Sequence, residues 1–385
     1  MTRMTRTTLT LASVLLLAST AAAAPARLLP AGAADLAPQG VVASDAPSTA
    51  PVGGPVRFTW PIDQAADDLT APAPHRAEST GFHQTLTRAA LRRGVAVPVA
   101  QPGAFIKLSG AARDLALADP RGRVHRPGDG LRGLGSDPGA FTLDPALGAG
   151  TFTLRASADG DVHLDVRERD SDIVLAVQAA ADLVFLGDSV RVQTRLTRAG
   201  QAVSGVRVHG RLIDPSGRER GALVRGQGGQ LHAALPARAD HPAGALWTLE
   251  VTADATVDGV AVRRTVTTAV AAAVPTARYT GAARTDATRG VRVDLELDVA
   301  SPGRYAATAV LYGTNREGAS QPIAVSQSAD ELTAGRRWLT LEFDAATVAA
   351  SGMRAPFELR DLRLADQGRM SVLHRQARGL AVAGR

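Results

Sequence analysis

The sequence predicts an all-β protein of three tandem β-sandwich domains, and three observations support this prediction. Apolar and polar residues alternate with a period of two in many short runs, which is the pattern of half-buried strands. Turn residues separate these runs at short intervals, and helix-period patterns are confined to a few short stretches. The 385 residues include no cysteine, so burial and strand pairing alone must hold the predicted domains together, without disulfides.

The strand pattern is clear in the first half of the central segment. Val190, Val192 and Leu196 fall on one face of a predicted strand, and polar side chains fall on the other face. A second alternating run, at residues 206–212, leads into the sequence Asp-Pro-Ser-Gly at residues 214–217. Proline presets φ at the second turn position and glycine closes the turn, so these four residues predict a turn between two strands.

The second half of this segment continues the pattern. Trp247 and Leu249 share the inward face of a predicted strand, and Asp258-Gly259 predicts a tight hairpin turn. Short strands at this spacing over about 100 residues are typical of an immunoglobulin-like sandwich. We therefore predict a central immunoglobulin-like domain over residues 181–274, with Trp247 as its largest core side chain.

The N-terminal residues have the organisation of a secretory signal peptide. Arg3 and Arg6 provide a positive region, residues 9–17 are a short apolar run, and residues 21–24 offer small side chains for cleavage. The apolar run is too short to span a membrane. We predict a signal peptide that is cleaved after Ala23, and hence a periplasmic or secreted protein.

The region after this peptide contains a leader and a first domain. Residues 24–55 are rich in alanine, proline, glycine and serine, so we predict a disordered leader. The N-terminal β-sandwich domain is predicted over residues 56–180. It begins with a strand at residues 56–61, includes a short helix within residues 84–93, and ends with a strand at residues 173–177.

A C-terminal β-sandwich domain is predicted over residues 275–385. Valine and leucine alternate with acidic residues over residues 291–299, which predicts a strand. Residues 345–351 predict a short helix, and the interrupted alternation near Asp361 predicts a β-bulge. Three all-β units in succession predict an arrangement like beads on a string, with modest interfaces between domains.

Charge and hydropathy argue against two classes of partner. The formal net charge of +6 is carried almost wholly by arginines that are spread along the predicted strands, and Lys107 is the only lysine. Nucleic-acid binding requires a clustered basic surface, so it is not predicted. No stretch approaches about 18 uninterrupted apolar residues, so no membrane span is predicted in the mature chain.

One motif suggests a hydrolase. Residues 185–189, Phe-Leu-Gly-Asp-Ser, are similar to the nucleophile block of Gly-Asp-Ser hydrolases, in which the serine lies at a strand-to-helix turn beside a base. Here Ser189 begins a predicted strand, so a turn is the favoured interpretation. Asp240-His241 could supply part of a triad, but only geometry identifies a triad. No catalytic residue is predicted, and a hydrolase, or an ancillary module of a secreted hydrolase, is the alternative hypothesis.

Three carboxylates are weak metal candidates. Asp159, Asp161 and Asp165 could offer oxygens to Ca²⁺, which takes six to eight oxygen ligands. Their spacing is not that of an EF-hand loop, and Asp-Gly is a common hairpin turn, so we favour a turn and predict no metal site. A calcium-dependent adhesin is a second alternative hypothesis.

Other ligand classes have little support. The sequence contains no phosphate-binding glycine motif and no histidine pair at zinc spacing, so no cofactor is predicted. Aromatic residues make up only 4% of the chain, and carbohydrate binding favours exposed aromatics. Tyr305, Tyr312 and Trp338 lie in strand patterns, for which we predict core packing.

Three stretches resemble a known family: residues 91–108, residues 185–190 together with Leu246-Trp247, and residues 338–362. Together they resemble a domain-of-unknown-function family of exported bacterial proteins that consist of three successive immunoglobulin-like domains. The resemblance implies the fold and brings no activity, cofactor or site residue.

The leading functional hypothesis is therefore a non-enzymatic one. We predict an exported multi-domain protein that binds a partner, or has a structural role, at the cell envelope or outside the cell. The expected partner is a protein or an envelope component, because β-sandwich domains recognise partners through loops and exposed strand edges.

Overall fold

The computed structural model describes residues 23–45, 48–49, 53–63, 75–110, 112–134, 137–226, 229–238, 241 and 244–383. The predicted signal peptide lies outside the described residues except for Ala23. Within the described part, strands dominate and helices are short, which confirms the all-β prediction. No helix in this part is long and apolar enough to span a membrane.

Three strands precede the first sandwich along the chain. The three strands are β1 (Ala24–Arg27), β2 (Val56–Pro61) and β3 (Arg76–Ser79). The first sandwich consists of β4 (Gly81–Leu86), α1 (Arg88–Arg93), β5 (Val95–Val99), β6 (Phe105–Ser109), β7 (Ala112–Ala118), β8 (Val124–His125), β9 (Leu131–Leu134), β10 (Asp137–Leu143), β11 (Gly150–Ala158) and β12 (Val162–Arg167). Its two antiparallel sheets have the strand orders β4-β12-β6-β10-β9 and β5-β11-β7-β8. Apolar side chains of both sheets, and Leu91 of α1, form one core.

The central sandwich is formed by one continuous ladder of strands. They are β13 (Ile173–Ala179), β14 (Leu183–Phe185), β15 (Ser189–Arg198), β16 (Gln201–Ala202), β17 (Arg207–Ile213), β18 (Glu219–Arg225), β19 (Leu231–Ala234), β20 (Leu246–Val257) and β21 (Val260–Ala273). The ladder runs β14-β21-β20-β17-β18-β19-β15-β13-β3. Its two halves share a core that includes Val190, Val192, Leu196 and Trp247, as the alternation predicted. Asp258 and Gly259 both have positive φ, the hallmark of the predicted hairpin turn.

The third sandwich is formed by β22 (Ala277–Asp286), β23 (Val291–Val299), β24 (Gly303–Thr314), β25 (Ser320–Leu332), β26 (Gly335–Phe343), α2 (Ala345–Ala350), β27 (Arg354–Asp366) and β28 (Ser371–Val382). Its sheets have the orders β1-β22-β23-β26 and β2-β25-β24-β27-β28. The predicted bulge is present, because Asp361 has a positive φ and the register of β27 shifts beside it.

Strand pairing places three segments differently from the prediction. The strand at residues 56–61 exists, but β2 pairs with β25 of the third sandwich and not with the first. The strand at residues 173–177 lies in β13, which pairs with β15 of the central sandwich. β3 pairs with the other edge of β13. A strand adds where an edge is available, and the period of two identifies a strand without identifying its neighbour.

The prediction of a disordered leader is wrong for the described residues. Residues 24–45, which we call the N-terminal strap, lie along the third sandwich. β1 pairs with β22, and Leu36 forms a bridge with Arg375 of β28. The backbone N–H of Val42 donates to Pro275 O at 2.9 Å. Backbone hydrogen bonds do not depend on side-chain type, so a composition typical of disorder did not prevent this docking.

Candidate functional site

The serine of the hydrolase-like motif lies at the beginning of a strand. Ser189 is the exposed first residue of β15, and it pairs with Ala234 of β19. The preceding Asp188 is held in a turn, because its N–H donates to Phe185 O and its carbonyl accepts from Leu235 N. A nucleophile of this class needs a strand-to-helix turn and an adjacent base. Ser189 is followed by a strand instead of a helix, and no base contacts it among the described residues.

The three candidate calcium ligands are directed to arginines or to solvent. Asp159 accepts two hydrogen bonds from Arg113, at 2.7 and 2.8 Å, and Asp165 accepts two from Arg167. Asp161 is exposed in the turn before β12. Among the described residues, no group of three histidine or acidic side chains could hold a metal ion.

Chelation is therefore expected to have no effect on thermal stability. A bound Ca²⁺ would raise the melting temperature by mass action, and EDTA would remove that increment. The arginine pairs of Asp159 and Asp165 need no metal. A thermal-shift assay with EDTA, with added CaCl₂ and with neither should give three superimposable transitions. A drop in melting temperature with EDTA that CaCl₂ reverses would contradict this prediction.

A dense polar cluster is centred on Asp214, at the predicted turn between β17 and β18. The carboxylate is buried. One of its oxygens accepts from the backbone N–H groups of Ser216 and Arg218 and from Ser216 Oγ, at 2.9, 2.9 and 2.6 Å. The other oxygen accepts from Arg220 Nε at 2.6 Å. Burial disfavours the charged form, but these hydrogen bonds outweigh it and hold the pKa of Asp214 well below its ordinary value.

His241 joins this cluster, so an acid, a serine and a histidine lie together. His241 Nε2 is 3.6 Å from Asp214 Oδ2, and its ring meets Trp247 edge-on. In a catalytic triad the histidine stands between the serine and the acid. Here the carboxylate stands in the middle and Ser216 donates to it, so His241 is not placed to act as the base of the serine. Asp240, the other residue of the predicted fragment, lies outside the described residues.

We expect substitutions in this cluster to change stability and not catalysis. Asp214→Asn should lower the melting temperature by several degrees, because the backbone donors and Arg220 lose a charged acceptor. Ser216→Ala should have a smaller effect, because the N–H of residue 216 still donates. Differential scanning fluorimetry and p-nitrophenyl acetate hydrolysis test both statements. Hydrolysis by the wild type that Ser216→Ala abolishes would show that the cluster is catalytic.

The same turn recurs once in each sandwich, which supports a structural role. Asp119 between β7 and β8, and Asn315 between β24 and β25, each accept from the N–H groups two and four residues ahead, at 2.8 to 3.0 Å. In all three turns a glycine three residues on donates to the first carbonyl. The three sandwiches thus share a hairpin of the form Asp/Asn-x-x-Gly, in which the side chain caps the turn.

A cleft of about 440 Å³ separates the first sandwich from the central one. We call it the interdomain cleft. Arg263 of β21 lies in it, donating to Asp254 Oδ1 at 2.8 Å and to Gln84 Oε1 of the first sandwich at 3.1 Å. Arg207 of β17 is exposed on the same lining. The cleft therefore presents charged side chains from the central domain against small side chains of the first, such as Ala96 and Thr151.

A second polar contact joins the same two domains beside the cleft. Glu250 of β20 accepts from Arg211 Nε at 2.8 Å, and its other oxygen lies 3.1 Å from His83 Nε2 of β4. The hydrogen bond with His83 and the charge of Arg211 lower the pKa of Glu250 to about 2, although partial burial opposes them. The ring of His163 lies 5.5 Å from that of His83. The ionised carboxylate thus links two domains that the sequence presents as separate units.

The Glu250 contact should make stability depend on pH. Its pKa is lower in the folded chain than the ordinary 4.5, so the contribution is fully present above pH 4.5 and is lost as the pH falls through about 2. Glu250→Gln should lower the melting temperature by a few degrees at pH 7 and by much less near pH 2. Thermal melts across this range measure the difference, with Glu219→Gln, on the exposed side of Arg211, as the control. A difference that does not change with pH would contradict the assignment.

A buried ion pair underlies this junction. Arg264 of β21 and Glu168, just after β12, both have fully buried side chains, 2.6 Å apart. Arg264 also donates to Ser171 Oγ and to Ile173 O, at 2.9 and 3.0 Å. The remaining oxygen of Glu168 accepts from Ala100 N of the first sandwich at 2.8 Å. The pair thus fixes the segment between the first two sandwiches to both of them.

Aromatic side chains are more exposed than predicted. Tyr305 is buried, as expected, but Tyr312 and Trp338 lie partly exposed beneath Arg360 and Arg284, at 4.3 and 4.2 Å from the ring centroids. Both alternate onto the outer face of their strands, so the prediction of core packing is wrong for them. Phe58 and Trp60 of β2 are also exposed, although nothing in the pattern of residues 56–61 indicates which face of this strand is outward.

These features define a multi-domain β-sandwich protein whose polar clusters brace turns and domain junctions. Residues 53–168 match the N-terminal domain, and residues 276–383 the C-terminal domain, of the family described as "Domain of unknown function (DUF4785)". The chain belongs to the DUF4785 family, which confirms the predicted resemblance. No protein with a curated description matches it.

One solved structure agrees with the fold. The crystal structure of a DUF4785 family protein from Legionella pneumophila superposes with a TM-score of 0.70 at 20% identity, and the match covers 90% of this chain and 98% of that one. At this identity the likeness establishes the fold alone. An alpha-2-macroglobulin mutant from Salmonella matches with a TM-score of 0.22 at 14% identity, over 83% of this chain and 24% of that chain, too weakly to carry an argument.

Proposed function

We propose that this protein is exported and non-enzymatic, and that it binds a partner at the cell envelope or outside the cell. The observation that carries the proposal is the interdomain cleft, where charged side chains of the central domain face small side chains of the first. Ligand sites occur preferentially at domain interfaces. The predicted signal peptide supports a periplasmic or secreted location.

The charges of the cleft indicate how a partner would be recognised. Asp254 and Arg263 neutralise each other at 2.8 Å, whereas Arg207 extends from β17 on an exposed part of the lining. An exposed guanidinium binds carboxylates and phosphates through a planar pair of donors. The proposed partner is therefore a protein or an envelope component that presents an anionic group to Arg207.

Affinity capture with matched variants tests this proposal. Wild-type protein, Arg207→Glu and Arg191→Glu are each used as bait on the native envelope fraction and the culture medium. Arg191 is an exposed arginine of β15, in the opposite half of the central sandwich, so its variant controls for the change in net charge. We expect one component to be retained by the wild type and Arg191→Glu and lost by Arg207→Glu. Capture that is indifferent to Arg207, or turnover in a broad hydrolase screen, would overturn the proposal.

A further inference from the structure

The N-terminal strap covers one open side of the third sandwich. β1 adds to the edge of β22 with Ala26 opposite Ala283, and the N–H of Leu28 donates to Gly281 O at 2.9 Å. Further along, Leu29 N donates to Gly379 O at 2.8 Å, and the Leu36 bridge continues along β28. The strap therefore occupies the edge strand of one sheet and the edge strand of the other.

The strap is held mainly by its backbone. Along residues 24–45, only Pro38 is fully buried, and Ala26 and Leu28 pack partly against the core of the third sandwich. Most of the contacts that fix it are hydrogen bonds of its backbone groups to β22, to β28 and to the loops beside them, and the Asp35 carboxylate accepts one more from Ala377 N of β28. Segments with few buried apolar contacts open locally at low free-energy cost. Local opening of the strap is therefore expected to cost less free energy than unfolding of the whole third sandwich.

Detachment would leave two bare edges over an apolar core. β22 would expose its unpaired N–H and C=O groups, with buried Tyr279 and Ala283 beneath them, and such an edge accepts an extended strand. The strap of a second copy offers the same sequence in the same register. Exchange between two copies replaces each contact by an identical one, so only the entropy of association opposes it.

We propose that the edges of β22 and β28 form a strand-acceptor site for the strap of a second copy of this chain, so that two copies associate by exchanging straps. The surface is defined by the Ala24–Arg27 pairing with β22 and by the Leu36 bridge to β28. This association is independent of the interdomain cleft, which lies between the first and central sandwiches.

The absence of cysteine makes a direct test available, because every disulfide is then an engineered one. Arg27 and Ala282 lie opposite each other on the outward face of the β1–β22 pair, within the reach of a cross-strand disulfide. Arg27→Cys and Ala282→Cys are prepared as separate chains, mixed at several concentrations and oxidised. We expect a disulfide-linked heterodimer whose yield rises with concentration and falls when a synthetic peptide of residues 24–45 is added.

Two controls complete the test. Thr256→Cys and Ala261→Cys chains, mixed in the same way, place exposed cysteines at a directly paired position of the β20–β21 hairpin, which cannot exchange. The double variant Arg27→Cys/Ala282→Cys should form the same disulfide, within one chain when dilute and between chains as the concentration rises. A mixture that links no more than the Thr256 and Ala261 control would overturn the proposal. Failure of the double variant to link would overturn it too, because the strap would then not lie on β22.

Discussion

Replacing Glu168 by alanine is expected to destabilise the protein by about 3–5 kcal/mol, the cost of removing one partner from a buried ion pair. Arg264 would remain fully buried without its carboxylate, and Ala100 N would lose its acceptor. The effect should fall on the junction of the first and central sandwiches. Urea unfolding followed by circular dichroism measures it, as an earlier midpoint for the transition of these domains.

Two further variants separate the buried pair from ordinary surface charge. The double variant Glu168→Met/Arg264→Met removes both charges and should lose much less stability than Glu168→Ala, because no buried charge is left unpaired. Asp165, three residues before Glu168, forms an exposed pair with Arg167. Asp165→Ala breaks this pair and should cost less than about 1 kcal/mol of stability. Equal losses of stability for Glu168→Ala and Asp165→Ala would mean that breaking the buried pair costs no more than breaking an exposed one.

Local pattern predicted much of the fold because strands and turns are local. The alternation of Val190, Val192 and Leu196 identifies a buried face wherever the partner strand lies. Asp258-Gly259 determines a hairpin by its own backbone preferences, and the two strands beside it pair from Val257 and Val260 onward. Features of this kind need no information from distant parts of the chain.

Features that depend on distant partners were not predictable. β2 lies beside β25, some 270 residues away along the chain, and nothing in its own residues identifies that edge. The strap is held by backbone groups, which every composition possesses. The beads-on-a-string arrangement was predicted from three successive groups of strand patterns. Those patterns do not reveal that β1 and β2 pair with strands of the third sandwich.

The same distinction applies to the candidate sites. Residues 214–217 were predicted as a turn, and they form one. The convergence of Arg220 and His241 on Asp214 was not predictable, because it depends on how the strands pack. Glu168 and Arg264 are 96 residues apart in the sequence, and each alone resembles a solvated charge. The Ser189 motif failed for a local reason that the sequence did reveal, because a strand follows it where a hydrolase has a helix.

Trp247→Ala is expected to cost about 3–5 kcal/mol, the range for truncating a large buried aromatic side chain. Trp247 is 1% exposed and is the largest fully buried side chain among the described residues. It lies on β20, which pairs with β17 on one side and β21 on the other. The loss should therefore appear as cooperative destabilisation of the whole central sandwich, measured by urea unfolding with far-ultraviolet circular dichroism.

Trp60→Ala provides a control with the same chemistry and a different environment. Trp60 is 42% exposed on the edge strand β2, so its removal creates little cavity and should cost less than about 1 kcal/mol. The difference between the stability losses of Trp247→Ala and Trp60→Ala then measures how much burial on the inward face of β20 stabilises the central core. If Trp247→Ala costs no more than Trp60→Ala, the inward face of β20 cannot be packed as described, and the face-to-face arrangement of the central ladder would be wrong.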